Sequence, residues 1–216
     1  PHDRSGSHMF VAGFGNSYSS YGGMIVGLWS TASGPYSSVS GGANNVASGD
    51  RASVCGGTSN VASGEEASVS GGDGNRAAGF SSSVSGGYYN SALERWSAVS
   101  GGAGNTARAP GTSVSGGEGN TAGGQFGGMH ASVCGGSYGL ATGNGSSVTG
   151  GVMNVASGLH GSVTGGANNE ASGIGATVTG GIRNVASGAE ATVSGGQPRR
   201  AEGMTNWRAG DLFQEK

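Results

Sequence analysis

The sequence has little of what most folded domains rely on. Its 216 residues include 2 cysteines, 4 prolines, 6% aromatic residues and 10% charged residues. Two cysteines cannot make a disulfide framework, and no run of apolar residues approaches the roughly 18 that would cross a bilayer. The formal charge of −2 comes without a basic cluster. We therefore expect neither a nucleic-acid partner nor a membrane-spanning segment in this chain.

Glycine is abundant instead, with 50 residues. It does not recur at every third position, which excludes collagen, and its abundance is not typical of a mixed globular domain. The first nine residues end in Gly-Ser-His-Met. We interpret residues 1–9 as a cloning remnant outside the fold.

A 15-residue repeat occupies most of the chain. Counting from an anchoring valine, glycine takes the second and third positions and alanine the eighth in all eleven repeats, and asparagine takes the sixth in nine. The fourth, fifth, eleventh and twelfth positions vary freely. Nine of the ten intervals between the valines are 15 residues and one is 19. The valines are Val39, Val54, Val69, Val84, Val99, Val114, Val133, Val148, Val163, Val178 and Val193.

This pattern predicts an all-β solenoid. Fifteen residues are too few for two helices, and glycine and asparagine adopt left-handed backbone angles at tight corners at low cost. We expect each repeat to form one coil of a parallel β-roll, with one short strand around the valine and one around the alanine. About twelve coils should occupy residues 10–203, about 4.8 Å apart, with identical residues stacked in ladders.

The interior of such a coil is thin. One valine and one alanine bury too little apolar surface to offset the conformational entropy of ordering fifteen residues. Because oligomers bury surface that single chains cannot, the sequence predicts a homotrimer whose chains share a core.

Repeats of the form Ser-Val-Ser-Gly-Gly-x-x-Asn-x-Ala-Ser-Gly resemble the head repeats of trimeric autotransporter adhesins (YadA-like heads). The agreement covers about residues 23–203 and is closest at residues 24–27 (Met-Ile-Val-Gly) and 32–34 (Ala-Ser-Gly). The resemblance implies a left-handed parallel β-roll, a homotrimer, and a place on the bacterial cell surface with an outer-membrane anchor elsewhere. Similar arrays also resemble segments of secreted repeat proteins and tail fibres.

Large apolar side chains return after the last repeat. Trp207, Leu212 and Phe213 lie in residues 204–216, and Trp207 stands where the repeat has serine. A terminal coil has to cover an open ladder. We therefore interpret residues 204–216 as an aromatic cap, with a ligand pocket formed by Trp207 and Phe213 as the alternative.

Residues that could carry chemistry are sparse. Residues 135–139 match the G-x-S-x-G nucleophile motif but lie at a coil corner, not between a strand and a helix. Calcium-binding rolls need an aspartate in every turn, whereas only Asp73 and Glu118 are acidic at the corresponding corner. His130 and His160 have no acidic or cysteine partner in phase. We expect no enzyme activity, no cofactor and no metal site.

Both cysteines occupy the first position of their repeats. Cys55 and Cys134 would lie five coils, or roughly 24 Å, apart, which is too far for a disulfide within one chain. We favour the interpretation that each replaces serine as a small buried residue. A bond between chains is the alternative if this strand faces a threefold axis.

Aromatic side chains are found at the variable corners. In consecutive coils, the eleventh and twelfth positions and the insertion near residues 125–130 should align as an apolar stripe about 15 Å long. One hypothesis is a receptor- or glycan-binding face; the other is packing between subunits. The residues are Phe80, Trp96, Pro110 and Phe126 at this corner, and Tyr88 and Tyr89 at the other.

These observations together predict an extracellular adhesive head module. It would bind a host or matrix surface, either a matrix protein or a glycan, through its corners. A non-binding spacer in a fibre or secreted repeat protein is one alternative. An ice-binding solenoid with a lattice of serine and threonine hydroxyls is the other, although serine predominates and two of these positions are cysteine.

Overall fold

The computed structural model describes residues 6–125 and 127–209. All named elements in these ranges are short β-strands, and no helix there is long and apolar enough to cross a membrane. The chain divides into two compact units, Pro1–Ala107 and Arg108–Lys216. Each unit is a parallel β-solenoid with turns of about 15 residues, which confirms the predicted repeat fold.

In the first unit, successive strands alternate between two parallel sheets. One sheet contains β1 (Phe10–Phe14), β3 (Met24–Leu28), β5 (Ser38–Val39), β7 (Ser53–Val54), β9 (Ser68–Val69), β11 (Ser83–Val84) and β13 (Ala98–Val99). The other contains β2 (Ser17–Tyr18), β4 (Thr31–Ala32), β6 (Val46–Ala47), β8 (Val61–Ala62), β10 (Arg76–Ala77), β12 (Ser91–Ala92) and β14 (Thr106–Ala107).

The second unit follows the same alternation. Its valine sheet contains β15 (Ser113–Val114), β17 (Ser132–Val133), β19 (Ser147–Val148), β21 (Ser162–Val163), β23 (Thr177–Val178), β25 (Thr192–Val193) and β27 (Trp207–Arg208). Its alanine sheet contains β16 (Thr121–Ala122), β18 (Leu140–Ala141), β20 (Val155–Ala156), β22 (Glu170–Ala171), β24 (Val185–Ala186) and β26 (Arg200–Ala201).

Neighbouring coils pair in register, so that identical residues stack. Val39 lies beside Val54, and Ala47 beside Ala62. The eleven anchoring valines and the eleven eighth-position alanines are at most 1% exposed in the single chain. Each coil therefore closes around its own interior, and these residues do not need a second chain to cover them, contrary to the shared core that we inferred from the sequence.

The sixth-position asparagines form a buried hydrogen-bonded ladder. The amide nitrogen of Asn60 donates to the carbonyl oxygens of Gly56, in its own coil, and Gly72, in the next, at 2.9 Å each. Its Oδ1 accepts from the backbone N–H of Asn75 at 3.0 Å. None of these nine asparagines, all within the described ranges, has a positive φ. They stack as predicted, but they connect coils and do not supply the left-handed corners.

Pairing extends beyond residues 10–203 at both ends. Ser7 forms a parallel bridge with Tyr21. Part of the segment that we interpreted as a cloning remnant therefore pairs with the first coil. At the other end, β27 pairs with β25, with Trp207 beside Thr192.

Candidate functional site

Most coils turn at two corners where the backbone is left-handed. We call the fourth and fifth positions the first corner, and the eleventh and twelfth positions the second corner. Tyr89, at a fifth position, has a φ of 51°, and Trp96, at a twelfth, has 56°. A non-glycine residue pays roughly 1–2 kcal/mol for this conformation. Because Gly104 and Gly111 occupy the same positions in other coils, the large side chains are not required for the turn.

Large aromatic residues at these positions point into solvent. Their side chains are 54–58% exposed, and left-handed residues held despite strain concentrate at functional sites. Bulky residues at these corners are therefore candidates for contact with a partner. The aromatic ones are Trp29, Tyr36, Tyr89, Trp96 and Tyr138.

Phe80 and Trp96 meet at the second corner of the first unit. Their ring centroids are 6.4 Å apart in an edge-to-face arrangement. The guanidinium carbon of Arg95 lies 4.6 Å from the Trp96 ring centroid and 5.8 Å from that of Phe80. This cation–π contact holds the Trp96 ring in a defined orientation while it remains half-exposed. The sequence predicted the Phe80–Trp96 contact but not the part played by Arg95.

An exposed ionic network occupies the same corner two and three coils before Trp96. Arg51 contacts the carboxylates of Glu65 at 2.8 Å, Glu66 at 3.0 Å and Asp50 at 4.0 Å. The Ser81 hydroxyl donates to Glu66 at 2.8 Å. One arginine thus fixes three carboxylates that solvent reaches.

Two further aromatic pairs were missed from the sequence. Tyr21 and Tyr36 pack edge-to-face at the second corner, and Phe14 and Trp29 do so at the first, with centroids 5.2 Å apart in each pair. Both pairs have the 15-residue spacing. Both pairs precede the first Ser-Val repeat, where the two steps from β1 to β3 and from β3 to β5 are each 14 residues long, so they fall outside the 15-residue phase of the later repeats.

Tyr88 and Tyr89 lie at the first corner, with ring centroids 4.4 Å apart. They are 54% and 58% exposed. The structure therefore places them at a different corner from Phe80 and Trp96, as predicted.

The remaining predicted site residues lie elsewhere in the chain. Phe126, Leu212 and Phe213 lie outside the described residues, and Pro110 belongs to the second unit. Trp207 is 65% exposed and donates its indole N–H to the Ser194 hydroxyl at 3.0 Å. Its ring therefore does not cover the coil interior, and the aromatic cap stays a prediction.

Comparison of the chain with protein-family models and with curated proteins found no match. The resemblance to trimeric autotransporter heads therefore rests on the repeat residues, and the parallel solenoid is compatible with it.

In the eleven repeats, one outer surface carries only small, uncharged residues. We call it the serine–glycine face: in each of the eleven repeats, the residue before the valine, the residue after it and the second-position glycine. The first two are always serine, threonine, alanine or cysteine. The outward positions of the alanine sheet, the seventh and ninth, are not so restricted: they include Arg76, Leu93, Arg108, Glu170 and Arg200.

Nothing within the single chain requires glycine at the second position of the repeat. A Cβ atom added at ten of the eleven would meet nothing within 4 Å, and at Gly41 the nearest atom is 3.8 Å away. Only Gly86 and Gly195 have a φ in the positive range, at 159° and 132°. Neither backbone angle nor space inside the chain explains why the other nine are glycine.

Both cysteines are exposed on the serine–glycine face. The prediction that Cys55 and Cys134 are small buried residues is wrong, because the first position points outward from the valine strand. The valine between two outward residues takes the interior site instead.

The described residues bring no metal-binding cluster together. Ser137 of the G-x-S-x-G match forms isolated bridges to Glu118 and Val152 at the first corner. Within the described ranges, no group of three or more His, Cys, Asp or Glu side chains is arranged to hold a metal ion.

Proposed function

We propose that this chain is an extracellular adhesive head module on a bacterial cell surface. It is a left-handed β-roll that works as a homotrimer and binds a host or matrix surface, either a matrix protein or a glycan. It acts by binding, without catalysis or a cofactor. The observation that carries the proposal is the separation within each coil between a repeated, closed interior and variable corners that hold exposed aromatic side chains.

The corners support binding in two ways. Tyr36, Tyr89 and Trp96 are more than half exposed, and contiguous exposed apolar groups usually mark a contact surface. The rings also stand on left-handed backbone where glycine would cost less. A corner can change its side chain without disturbing the ladders below it, which suits a module that recognises a target.

The serine–glycine face supports the homotrimer. A surface limited to small, uncharged residues allows close approach of another backbone, and the second-position glycines leave open space where a partner can sit. At about 4.8 Å per coil and three residues in width, the repeats of the two units sum to an area on the order of 500 Å² per chain. Two such faces together approach the roughly 1,000 Å² of a specific interface.

Adhesion is tested with purified protein on beads over immobilised matrix proteins and a glycan array. We expect wild-type beads to bind at least one surface and Trp96→Ala beads to lose binding while the oligomer stays intact. Dissociation of the Trp96→Ala oligomer would instead favour aromatic packing between subunits. Absence of binding by the wild type would favour an inert spacer.

The oligomer is tested by solution mass. A homotrimer has three times the 20.7 kDa of one chain. A mass of 20.7 kDa at all concentrations would overturn the trimer but leave monovalent adhesion possible.

Ice binding is the second candidate, and one observation favours it. Outward hydroxyls of successive coils stack in the second unit, where Ser147 Oγ and Ser162 Oγ are 3.1 Å apart. A regular hydroxyl lattice of this kind would produce thermal hysteresis. A freezing-point measurement without hysteresis would eliminate this candidate.

A further inference from the structure

The second corner of the first unit forms a line of alternating aromatic and ionic groups. We call it the corner ridge; it runs from Tyr21 to Trp96. The Tyr21–Tyr36 pair comes first, the ionic network of Arg51 follows over two coils, and the Phe80–Trp96 pair with Arg95 completes it. Successive coils pair in register, so these groups follow one another along the coil axis.

The rings of the corner ridge stand out from the surface. Tyr21, Tyr36 and Trp96 are 49–56% exposed. Protein hot spots usually lie in desolvated pockets ringed by neutral contacts. A line of half-exposed rings suits a linear ligand that lies across them.

The charges of the corner ridge select against an anionic ligand. Four carboxylates, Asp50, Glu65, Glu66 and Glu94, stand against the two guanidinium groups of Arg51 and Arg95. A polyanion would meet net repulsion here. The fixed carboxylates and Arg51 can instead exchange hydrogen bonds with neutral hydroxyl groups.

We propose that the corner ridge binds a neutral, β-linked polysaccharide lying along the coil axis. This inference rests on the proposed adhesive function and names the chemical class of its ligand. The C–H groups on a pyranose face pack against the electron-rich faces of Tyr36 and Trp96. The sugar hydroxyls bind the carboxylates of the ionic network.

The repeat distance of the solenoid fits such a polymer. Coils advance about 4.8 Å each, which is close to the advance per sugar in an extended β-linked chain. Tyr36 and Trp96 are four coils apart. One extended chain can therefore touch both rings and pass over the ionic network between them.

The test is affinity electrophoresis of the full chain in native gels. The gels contain soluble cereal β-glucan or galactomannan, with heparin as the anionic comparison and chitosan as the cationic one. We expect the neutral polymers to retard wild-type protein and heparin to have no effect. Trp96→Gly and Tyr36→Gly should each weaken the retardation by about two- to tenfold, the effect expected for losing one stacked ring.

Replacement by glycine keeps the fold, since φ is 56° at Trp96 and 55° at Tyr36. The matched control is Asn168→Gly. Asn168 has the same φ of 56° and is exposed, but it carries no ring and lies at the first corner of the second unit. Its replacement should leave the retardation unchanged.

Several results would overturn the inference. These are no retardation by either neutral polymer, retardation by heparin or chitosan alone, or an equal loss in the Asn168→Gly control. Adhesion to immobilised matrix proteins without polysaccharide binding would remove this inference and leave the adhesive function standing. Failure to bind any surface would remove both.

Discussion

At the residue scale, the sixth-position asparagines do not form the left-handed turns that their backbone preference suggests, and the variable corner residues form those turns instead. The sixth-position asparagines are completely buried and connect neighbouring coils. The freely varying fifth and twelfth positions take the left-handed backbone, even with tyrosine or tryptophan. Stability therefore depends on the asparagine side chain, whereas recognition is free to use the strained corners.

Asn75→Ala should destabilise the fold. The change leaves the backbone N–H of Asn90 without its acceptor at 2.9 Å and removes the donor to the carbonyls of Gly71 and Gly87. Buried polar groups left unpaired should lower the free energy of unfolding by roughly 3 kcal/mol. Urea unfolding followed by circular dichroism measures the loss.

Asn44→Gly is the control for this substitution. Asn44 is a fifth-position residue with a φ of 57°, exposed to solvent. Asparagine tolerates this left-handed backbone and glycine accepts it readily, so the free energy of unfolding should change by less than about 0.5 kcal/mol. Equal losses in the two variants would contradict the ladder as the source of stability.

A second prediction concerns the cost of left-handed corners. His160→Gly should raise the free energy of unfolding by about 1 kcal/mol, because His160 has a φ of 55° and is exposed. Gly145→Ala should lower it, since φ is 64° and the new Cβ would lie 2.6 Å from Nδ1 of His160. Thermal unfolding compares the stability of the two variants. A loss of stability in His160→Gly would show that the left-handed backbone at His160 does not destabilise the fold.

At the scale of the elements, most strands are only two residues long. So short a strand gains little from its own residues. Its stability comes from backbone hydrogen bonds to the coils on either side, such as Ser53 N–H to the Ala67 carbonyl at 2.9 Å. The third-position glycines also connect coils, because their carbonyl oxygens accept hydrogen bonds from the side-chain amides of the asparagines in the preceding coils.

Adjacent glycines should therefore respond differently to alanine. Gly72 has a φ of 87°, and its added Cβ would collide with the carbonyl of Gly87 and with Nδ2 of Asn75. Gly72→Ala should cost more than about 2 kcal/mol. Gly71→Ala meets nothing within 4 Å, so it should leave the stability of the single chain unchanged.

Sedimentation of the Gly71→Ala variant distinguishes an effect on association from an effect on the stability of the single chain. If copies meet at the serine–glycine face, Gly71→Ala shifts the mass toward 20.7 kDa without lowering the melting temperature of the dilute chain. If Gly71→Ala associates as the wild type does, the serine–glycine face is not the contact between copies.

At the scale of the whole molecule, the exposed cysteines report on assembly. Cys55 and Cys134 both lie on the serine–glycine face. If three parallel copies meet at this face around a common axis, equivalent cysteines of two copies would lie close enough for a disulfide. Mild oxidation should then give covalent dimers on a non-reducing gel, with the third thiol at each level unpaired. Cys55→Ser/Cys134→Ser is the control; a wild type that stays monomeric on the gel would argue against this face.

Much of the fold was predictable from particular residues. The valine and alanine periods indicated two stacked strands per coil, and Val39 beside Val54 and Ala47 beside Ala62 confirm them. Phe80 and Trp96 were placed together from their positions in consecutive coils. Arg95 was not, because nothing in its spacing shows that its guanidinium turns over two rings.

The sequence by itself determined the coil, its period and its interior, because a strict repeat can satisfy its backbone only by stacking like residues on like. Only the tertiary structure decided which residues are strained, which asparagine atoms connect coils, and that Cys55 and Cys134 face outward. Those outcomes depend on side-chain direction and on hydrogen-bond partners in the next coil, about fifteen residues away along the chain. The residues next to each position in the sequence therefore do not predict these features.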